Sequence, residues 1–463
     1  LLGKNNMSEM TRRMANRKDS YTIKRLGVGV LSVVSGTVLF FGANQVAQAQ
    51  ETTTVAPVVE TTTVAETTTA PVAAETTTVA PETTTENTVG NDATLKEMDL
   101  NLVEDETFGE EAAEHIEVLS KEIGSRVVGS QGEAAARQYI IDELRSYGYD
   151  PELQEFSFTN KKGESFTTSN IIAYKAGQVA REVVVGAHYD SVNKGGSLGA
   201  DDNASGVGVT LEMARRLMEV DTKYSLKFVF FGAEEMGLQG SKAYVKNMTE
   251  EEIANTAAMV NLDSLIAGDK MYIHAGLGGE HWVRDQAFDI ADELGIEGME
   301  PNPGKNPEYP YGETGDWSDH APFNEVGIPI VYFEGTNWDI AELDGYDQTE
   351  KYGPIFHTGM DNLDFITKEF GSRAQDHLHA FSADLYNLLI NMTAPEDLEE
   401  FQAIDAEAAE EEDKVGGEGK VIEKSEDKAK ETLPATGEEA VSPVLVAALT
   451  TLGFGFIALS KKK

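Results

Sequence analysis

Between residues 106 and 392 the apolar positions follow two rhythms. Spacings of three and four predict helices over 112–123, 134–147, 204–218, 279–294 and 369–389. Short runs rich in β-branched and aromatic residues predict strands over 169–174, 182–187, 227–231, 257–262 and 328–333. These strands are apolar along their whole length instead of alternating, so both of their faces should be buried. Strands that trade places with helices in this way predict an α/β fold, a mostly parallel central sheet flanked by helices. Its functional residues should gather at the carboxyl ends of the strands. The span is long for a single domain, and nothing in its pattern divides it.

Outside that span the rhythm stops. Residues 50–105 carry Glu-Thr-Thr-Thr five times, starting at Glu51, Glu60, Glu66, Glu75 and Glu82. Such sequence holds too little apolar surface to offset chain entropy, and it predicts a disordered stalk; an adhesive repeat is the alternative. Residues 393–432, dominated by Glu, Asp, Ala and Lys, predict a second, acidic linker. The first 49 residues hold seven basic and two acidic side chains, an apolar run over 26–42, and Ala47-Gln48-Ala49. Basic, apolar and small-x-small segments in that order make a secretory signal peptide. The stretch from Tyr21 to Gly27, with Ser35-Gly36 further on, resembles the YSIRK-type signal of Gram-positive surface proteins. The chain opens on Leu1, which puts an expected start at Met7, Met10 or Met14.

At the other end, Leu433-Pro434-Ala435-Thr436-Gly437 is followed by an apolar stretch over 440–459 and by three lysines, Lys461 to Lys463. That stretch is long enough to span a bilayer, and the lysines would hold it at the cytoplasmic face. The order of motif, span and basic tail over 433–463 resembles the LPXTG sorting signal. The resemblance implies cleavage after Thr436 by a sortase, covalent attachment to the peptidoglycan of a Gram-positive wall, and only transient contact with the membrane.

Charge and composition narrow the chemistry. There are 37 Lys and Arg against 80 Asp and Glu, a formal net charge of −43, so a nucleic-acid partner is excluded. Cysteine is absent, which removes disulfides, thiolate metal sites and cysteine nucleophiles. What remains is carboxylate and imidazole. The apolar run Val183-Val184-Val185-Gly186-Ala187 delivers His188-Tyr189-Asp190, and Gly199-Ala200-Asp201-Asp202-Asn203 stands before a helix. Phe228-Val229-Phe230-Phe231 leads through Gly232-Ala233 to Glu234-Glu235, Val260-Asn261-Leu262 to Asp263, and His357 lies in a loop before the last helix. Alone, each piece has a bland explanation: a strand-end His is commonly structural, Asp202 could cap a helix, and a Glu pair is commonly solvated. Together they offer mixed His and carboxylate ligands, a set that suits zinc, or less specifically manganese or cobalt. With so many acids, two metals sharing a bridging carboxylate fit better than one. His115, His281, His377 and His379 fall in predicted helices, His274 shows no acidic partner, and His320 is intermediate. Gly195-Gly196-Ser197-Leu198-Gly199 fits G-x-S-x-G, but no apolar strand runs directly into it.

The order of these motifs, including Gly232-Ala-Glu-Glu-Met-Gly-Leu-Gln-Gly-Ser241, Ser318-Asp-His-Ala-Pro-Phe323 and the entry Gly124-Ser-Arg-Val-Val-Gly-Ser130, closely resembles the dizinc aminopeptidases of the bacterial leucyl aminopeptidase and aminopeptidase Y type. Glutamate carboxypeptidases and glutaminyl cyclases are related to that family. The resemblance covers residues 106–392 as the catalytic domain. It implies a zinc aminopeptidase (phosphorylase/hydrolase-like) fold, two zinc ions per chain and peptide substrates. His188 and Asp263 would bind one zinc, Glu235 and His357 the other, and Asp202 would bridge them. Glu234 would be the general base and Asp190 the partner of His188. Two departures stand out: Phe356 occupies a place where relatives often have Tyr, and Trp317 a place where some have Arg. Trp317 and the acidic net charge predict large apolar first side chains over acidic ones. The chain is thus expected to be a secreted, wall-anchored zinc aminopeptidase. A carboxypeptidase, a glutaminyl cyclase, or an adhesin that uses the peptidase fold as a platform are the rivals.

Overall fold

The computed structural model of the chain describes residues 100–404. The signal peptide, nearly all of the stalk, most of the acidic linker and the sorting signal lie outside the described residues. One nine-stranded sheet organises the domain. Its strands are β1 (Glu152–Thr159), β2 (Ser165–Lys175), β3 (Val179–His188), β4 (Tyr224–Phe231), β5 (Thr256–Leu262), β6 (Lys270–Gly276), β7 (Met299–Glu300), β8 (Glu313–Thr314) and β9 (Ile330–Thr336). They run in the order β1-β2-β4-β3-β5-β9-β6-β7, with β8 also paired to β6. The centre, β4-β3-β5-β9, is parallel, as the apolar runs predict. Every residue of β5 and of β9 is buried. The edges differ: β1 and β2 join antiparallel to one side, and β6 lies antiparallel to β9 on the other. The pattern over 106–392 did not single out β1 or β6. In β1 exposed and half-buried positions alternate, the mark of an edge strand wetted on one face.

Helices cover both faces. In chain order they are α1 (Glu110–Glu117), α2 (Gln131–Tyr147), α3 (Gly206–Leu217), α4 (Gln239–Asn247), α5 (Glu250–Asn255), α6 (Trp282–Glu293), α7 (Ala321–Glu325), α8 (Leu363–Phe370) and α9 (Arg373–Asn391). On one face α3 packs between α1, α2 and α9. Glycine lets α3 approach both the sheet and α1 closely. A Cβ on Gly206 would lie 2.2 Å from the carbonyl oxygen of Leu262, and one on Gly208 2.7 Å from that of Ala112. On the opposite face Val184, Val229 and Met259 of the sheet pack with Tyr244, Val245 and Phe323 from α4 and α7.

The packed unit extends past residues 106 and 392. Asn387 and Asn391, one turn apart on α9, pair with the backbone of Val103 and Asn101, each side-chain amide both accepting and donating as a neighbouring strand would. Beyond α9, Phe401 packs edge-on against Tyr224, and Arg181 forms ion pairs with Glu396 and Asp397.

Candidate metal centre

The carboxyl ends of β3, β4 and β5 converge on one crevice. His188 closes β3; its Nδ1–H donates to the backbone carbonyl of Asp190 at 3.2 Å, which points Nε2 inward. Nε2 is buried, 3.2 Å from Asp202 Oδ1 and 3.5 Å from Asp263 Oδ1, yet it makes a well-formed hydrogen bond with neither. Asp202 sits in the irregular turn before α3 and directs its other oxygen to His357 Nε2 at 3.1 Å. Glu235 Oε2 meets the same His357 nitrogen at 2.8 Å. Two groups result, His188–Asp202–Asp263 and Asp202–Glu235–His357. In each, one donor atom per residue lies within 4.8 Å of the others, and Asp202 belongs to both.

The charges are those of a cation site. Burial alone would raise Asp202, but the imidazoles on either side hold it well below the usual carboxylate range. Burial alone would lower His188, but Asp263 and Glu234 draw it well above the ordinary imidazole value. Hydrogen bonds to Asp202 and Glu235 push His357 up to about 11. Burial, reinforced by Asp202, raises Glu235 to about 7. The imidazoles are thus asked to carry positive charge that a divalent ion would supply, and an orphaned buried Nε2 flanked by carboxylate oxygens fits such an ion.

Glu234 belongs to neither group. Its Oε2 lies 3.9 Å from His188 Nε2, and burial, with Glu235, Asp319 and Asp263 nearby, raises it well above the usual range. Asp190 explains how the Glu pair is presented. Its carboxylate accepts the backbone N–H of Glu234 at 3.0 Å and of Glu235 at 3.2 Å, while Oδ1 lies 3.7 Å from His188 Nδ1. Asp190 therefore touches the imidazole through its backbone carbonyl and the two glutamates through its side chain.

Several residues that hold the site carry little signal in the sequence. Asp201 turns away from both groups; it accepts the N–H groups of Ile266 and Ala267 and the amide of Gln348. Gln348 in turn accepts the N–H groups of Ile355 and Phe356, just before His357, whose φ is +57°. Ser318 donates to Asp263 Oδ2 at 2.7 Å. The fully buried Arg126 donates to the carbonyls of Tyr189, Leu198 and Gly199, beside the ligand turns. His320 stacks on Tyr332 and bonds the Gly315 carbonyl, away from both groups. The expectation that His274 has no acidic partner is corrected: its Nε2 lies 3.0 Å from Glu334 Oε1, on the neighbouring strand.

Residues 170–382 match peptidase family M28. The alkaline phosphatase isozyme conversion protein of Escherichia coli is 33% identical over 299 residues, 58% of this chain and 85% of that one. The chain belongs to peptidase family M28. An aminopeptidase of Bacillus subtilis is 34% identical over 227 residues, 48% of this M28 peptidase and 44% of that protein; the leupeptin-inactivating enzyme 1 of Streptomyces exfoliatus is 29% identical over 263 residues. The chain spans about half the length of these two relatives. A solved zinc aminopeptidase from Bacillus subtilis shares the fold, with a TM-score of 0.51 at 21% identity over 61% of this chain and 96% of that one. So does a glutaminyl cyclase from Fimbriiglobus ruber, with 0.51 at 17% identity over 64% and 98%. Residues 425–463 match the LPXTG cell wall anchor motif, which makes this M28 peptidase a cell-wall-anchored surface protein, attached to peptidoglycan by a sortase.

Proposed function

We propose that the chain is a zinc-dependent aminopeptidase that removes amino-terminal residues from peptides, with two zinc ions per chain. His188 and Asp263 would hold one ion, Glu235 and His357 the other, and Asp202 both. The observation that carries this reading is the pair of complete ligand groups joined at Asp202, with a buried carboxyl group, Glu234, beside them but in neither. When bound, zinc polarises a scissile carbonyl and lowers the pKa of water. The chain's own residues do the rest. Glu234 takes the proton of the attacking water and passes it to the leaving amine, a relay that needs a carboxyl group close to the metals but not bound to them. Asp190 fixes the direction of that carboxyl group through two backbone hydrogen bonds. Ser318 and Ser264 hold Asp263.

A panel of aminoacyl chromogenic substrates, free and acetylated at the amine, tests this with and without a chelator. Acetylation should slow hydrolysis on the order of 100-fold, the loss of one well-placed charged contact of ~2.7 kcal/mol. Equal rates on both forms would overturn the reading. Release from the carboxyl end, or cyclisation of amino-terminal glutamine without peptide cleavage, would replace it with the corresponding relative.

A further inference from the structure

Beside the metal groups lies a cavity of about 300 Å³ whose composition departs from an apolar pocket. Asp202, Glu234 and Asp263 of the metal site line it, together with two more acids, Glu334 and Asp344. Among the described residues no lysine or arginine lines it. Aromatic side chains line it as well. Tyr309 and Trp317 meet edge to face at 5.2 Å, and Trp317 leans on the fully buried Trp338 at 5.8 Å.

Glu334 is built into this floor. Asp263 N–H donates to the carbonyl of Phe333, so β9 brings Glu334 alongside the first metal group. Two ring nitrogens orient the Glu334 carboxylate: Trp338 Nε1–H donates to Oε1 at 2.7 Å, and His274 Nε2 approaches it at 3.0 Å. His274 Nδ1 is buried without a partner. The loop that carries Asp344 lies directly on this pair. A Cβ on Gly345, whose φ is +76°, would sit 2.8 Å from Trp338 Nε1 and 3.3 Å from Glu334 Oε1. Asp344 itself is half-buried and accepts the Tyr346 N–H.

We propose that this cavity selects peptides whose first side chain is long and cationic, arginine or lysine. The proposal rests on the aminopeptidase reading above. With the scissile carbonyl at the metal groups, the methylene stem would run along Tyr309 and Trp317, which offer apolar area and π faces to a cation. The head group would meet the carboxylates of Glu334 and Asp344, where a guanidinium, planar and weakly hydrated, is suited to a carboxylate beside aromatic rings. Acidic first residues would be repelled. Large apolar ones would fit the walls but leave the two carboxylates without a cationic partner.

Arginyl, lysyl, citrullinyl and leucyl anilides, assayed with the zinc-loaded full chain, decide the matter, because citrulline keeps arginine's shape without its charge. Arginine should exceed citrulline in kcat/KM by at least about tenfold, the worth of one charge-assisted hydrogen bond. Glu334→Gln should cut the arginine-to-citrulline ratio on the order of tenfold or more, and Asp344→Asn by a smaller factor. The wild-type comparison and Asp344→Asn keep the test decisive should Glu334→Gln fail to fold. Turnover of leucyl substrate with arginine no better than citrulline would overturn this proposal alone. So would variants that slow every free-amine substrate equally, since the carboxylates would then hold the α-ammonium. Failure to cleave any of the four would defeat the aminopeptidase reading and this inference with it.

Discussion

Arg126 is the sharpest single test of how the metal turns are held. Its guanidinium is fully buried and surrounded by main-chain carbonyls instead of a direct carboxylate partner. Three of its bonds are short, 2.8 Å to Gly199, 2.9 Å to Leu198 and 2.9 Å to Tyr189. Two are long, 3.3 Å to Gly124 and 3.4 Å to Leu119, and add little. Burial lowers its pKa, while Asp361, Asp202, Asp190 and Glu235 oppose that shift from a distance. Hydrogen bonds to a charged group contribute roughly 1.5–3 kcal/mol each, so the three short ones sum to about 5–9 kcal/mol gross. Several kcal/mol of this are offset by taking the charge out of water. Arg126→Met removes the charge but leaves the buried carbonyls of Tyr189 and Leu198 unpaired, while that of Gly199 keeps the Ala204 N–H, at a net cost of about 3–5 kcal/mol. That is a large share of the roughly 5–15 kcal/mol that holds a domain together. Arg126→Lys keeps the charge but offers a compact ammonium in place of a planar fork; it should recover less than half of the loss. Urea unfolding monitored by fluorescence and far-ultraviolet circular dichroism measures both. A loss under about 1 kcal/mol for Arg126→Met would refute the claim that these carbonyls depend on it.

Three further outcomes are expected. Glu234→Ala should abolish turnover and leave two metals bound by elemental analysis, whereas His357→Ala should lose one. Burial holds His377 at about 4 against an ordinary 6.5, so between those values the unfolded chain binds the extra proton. Stability should then fall by about 3 kcal/mol as pH drops from 6.5 to 4, and His377→Gln should flatten that part of the urea-midpoint profile. A fragment of residues 106–392 should fold but unfold at lower urea than residues 100–404, because it loses buried Phe401, the Arg181 ion pairs and the Asn101 and Val103 ladder, about 2–3 kcal/mol from Phe401 alone.

What the sequence reveals and what it hides separate along a physical line. A buried parallel strand must be apolar throughout, so the residue that ends the apolar run is conspicuous; His188 at the end of β3 and Asp263 after β5 stand out for that reason. Central strands and their ligand-bearing ends are therefore legible one at a time. Partners across the sheet are not, because strand order is set by packing and leaves no local mark. Asp190 meets the N–H groups of Glu234 and Glu235 because β3 and β4 lie side by side in register, His188 opposite Phe231. Gln348 reaches from a loop to Asp201, 147 positions away, and in doing so sets the turn before His357. His274 is the clearest case. Its sequence neighbourhood offers no acid, yet β6 turns antiparallel beside β9 with Tyr272 opposite Glu334 and His274 opposite Tyr332. Side chains two apart on one strand share a face, so His274 meets Glu334 on the diagonal, across 60 residues of chain. The imidazole that orients the Glu334 carboxylate is thus supplied by the direction of β6, which no motif around the metals encodes.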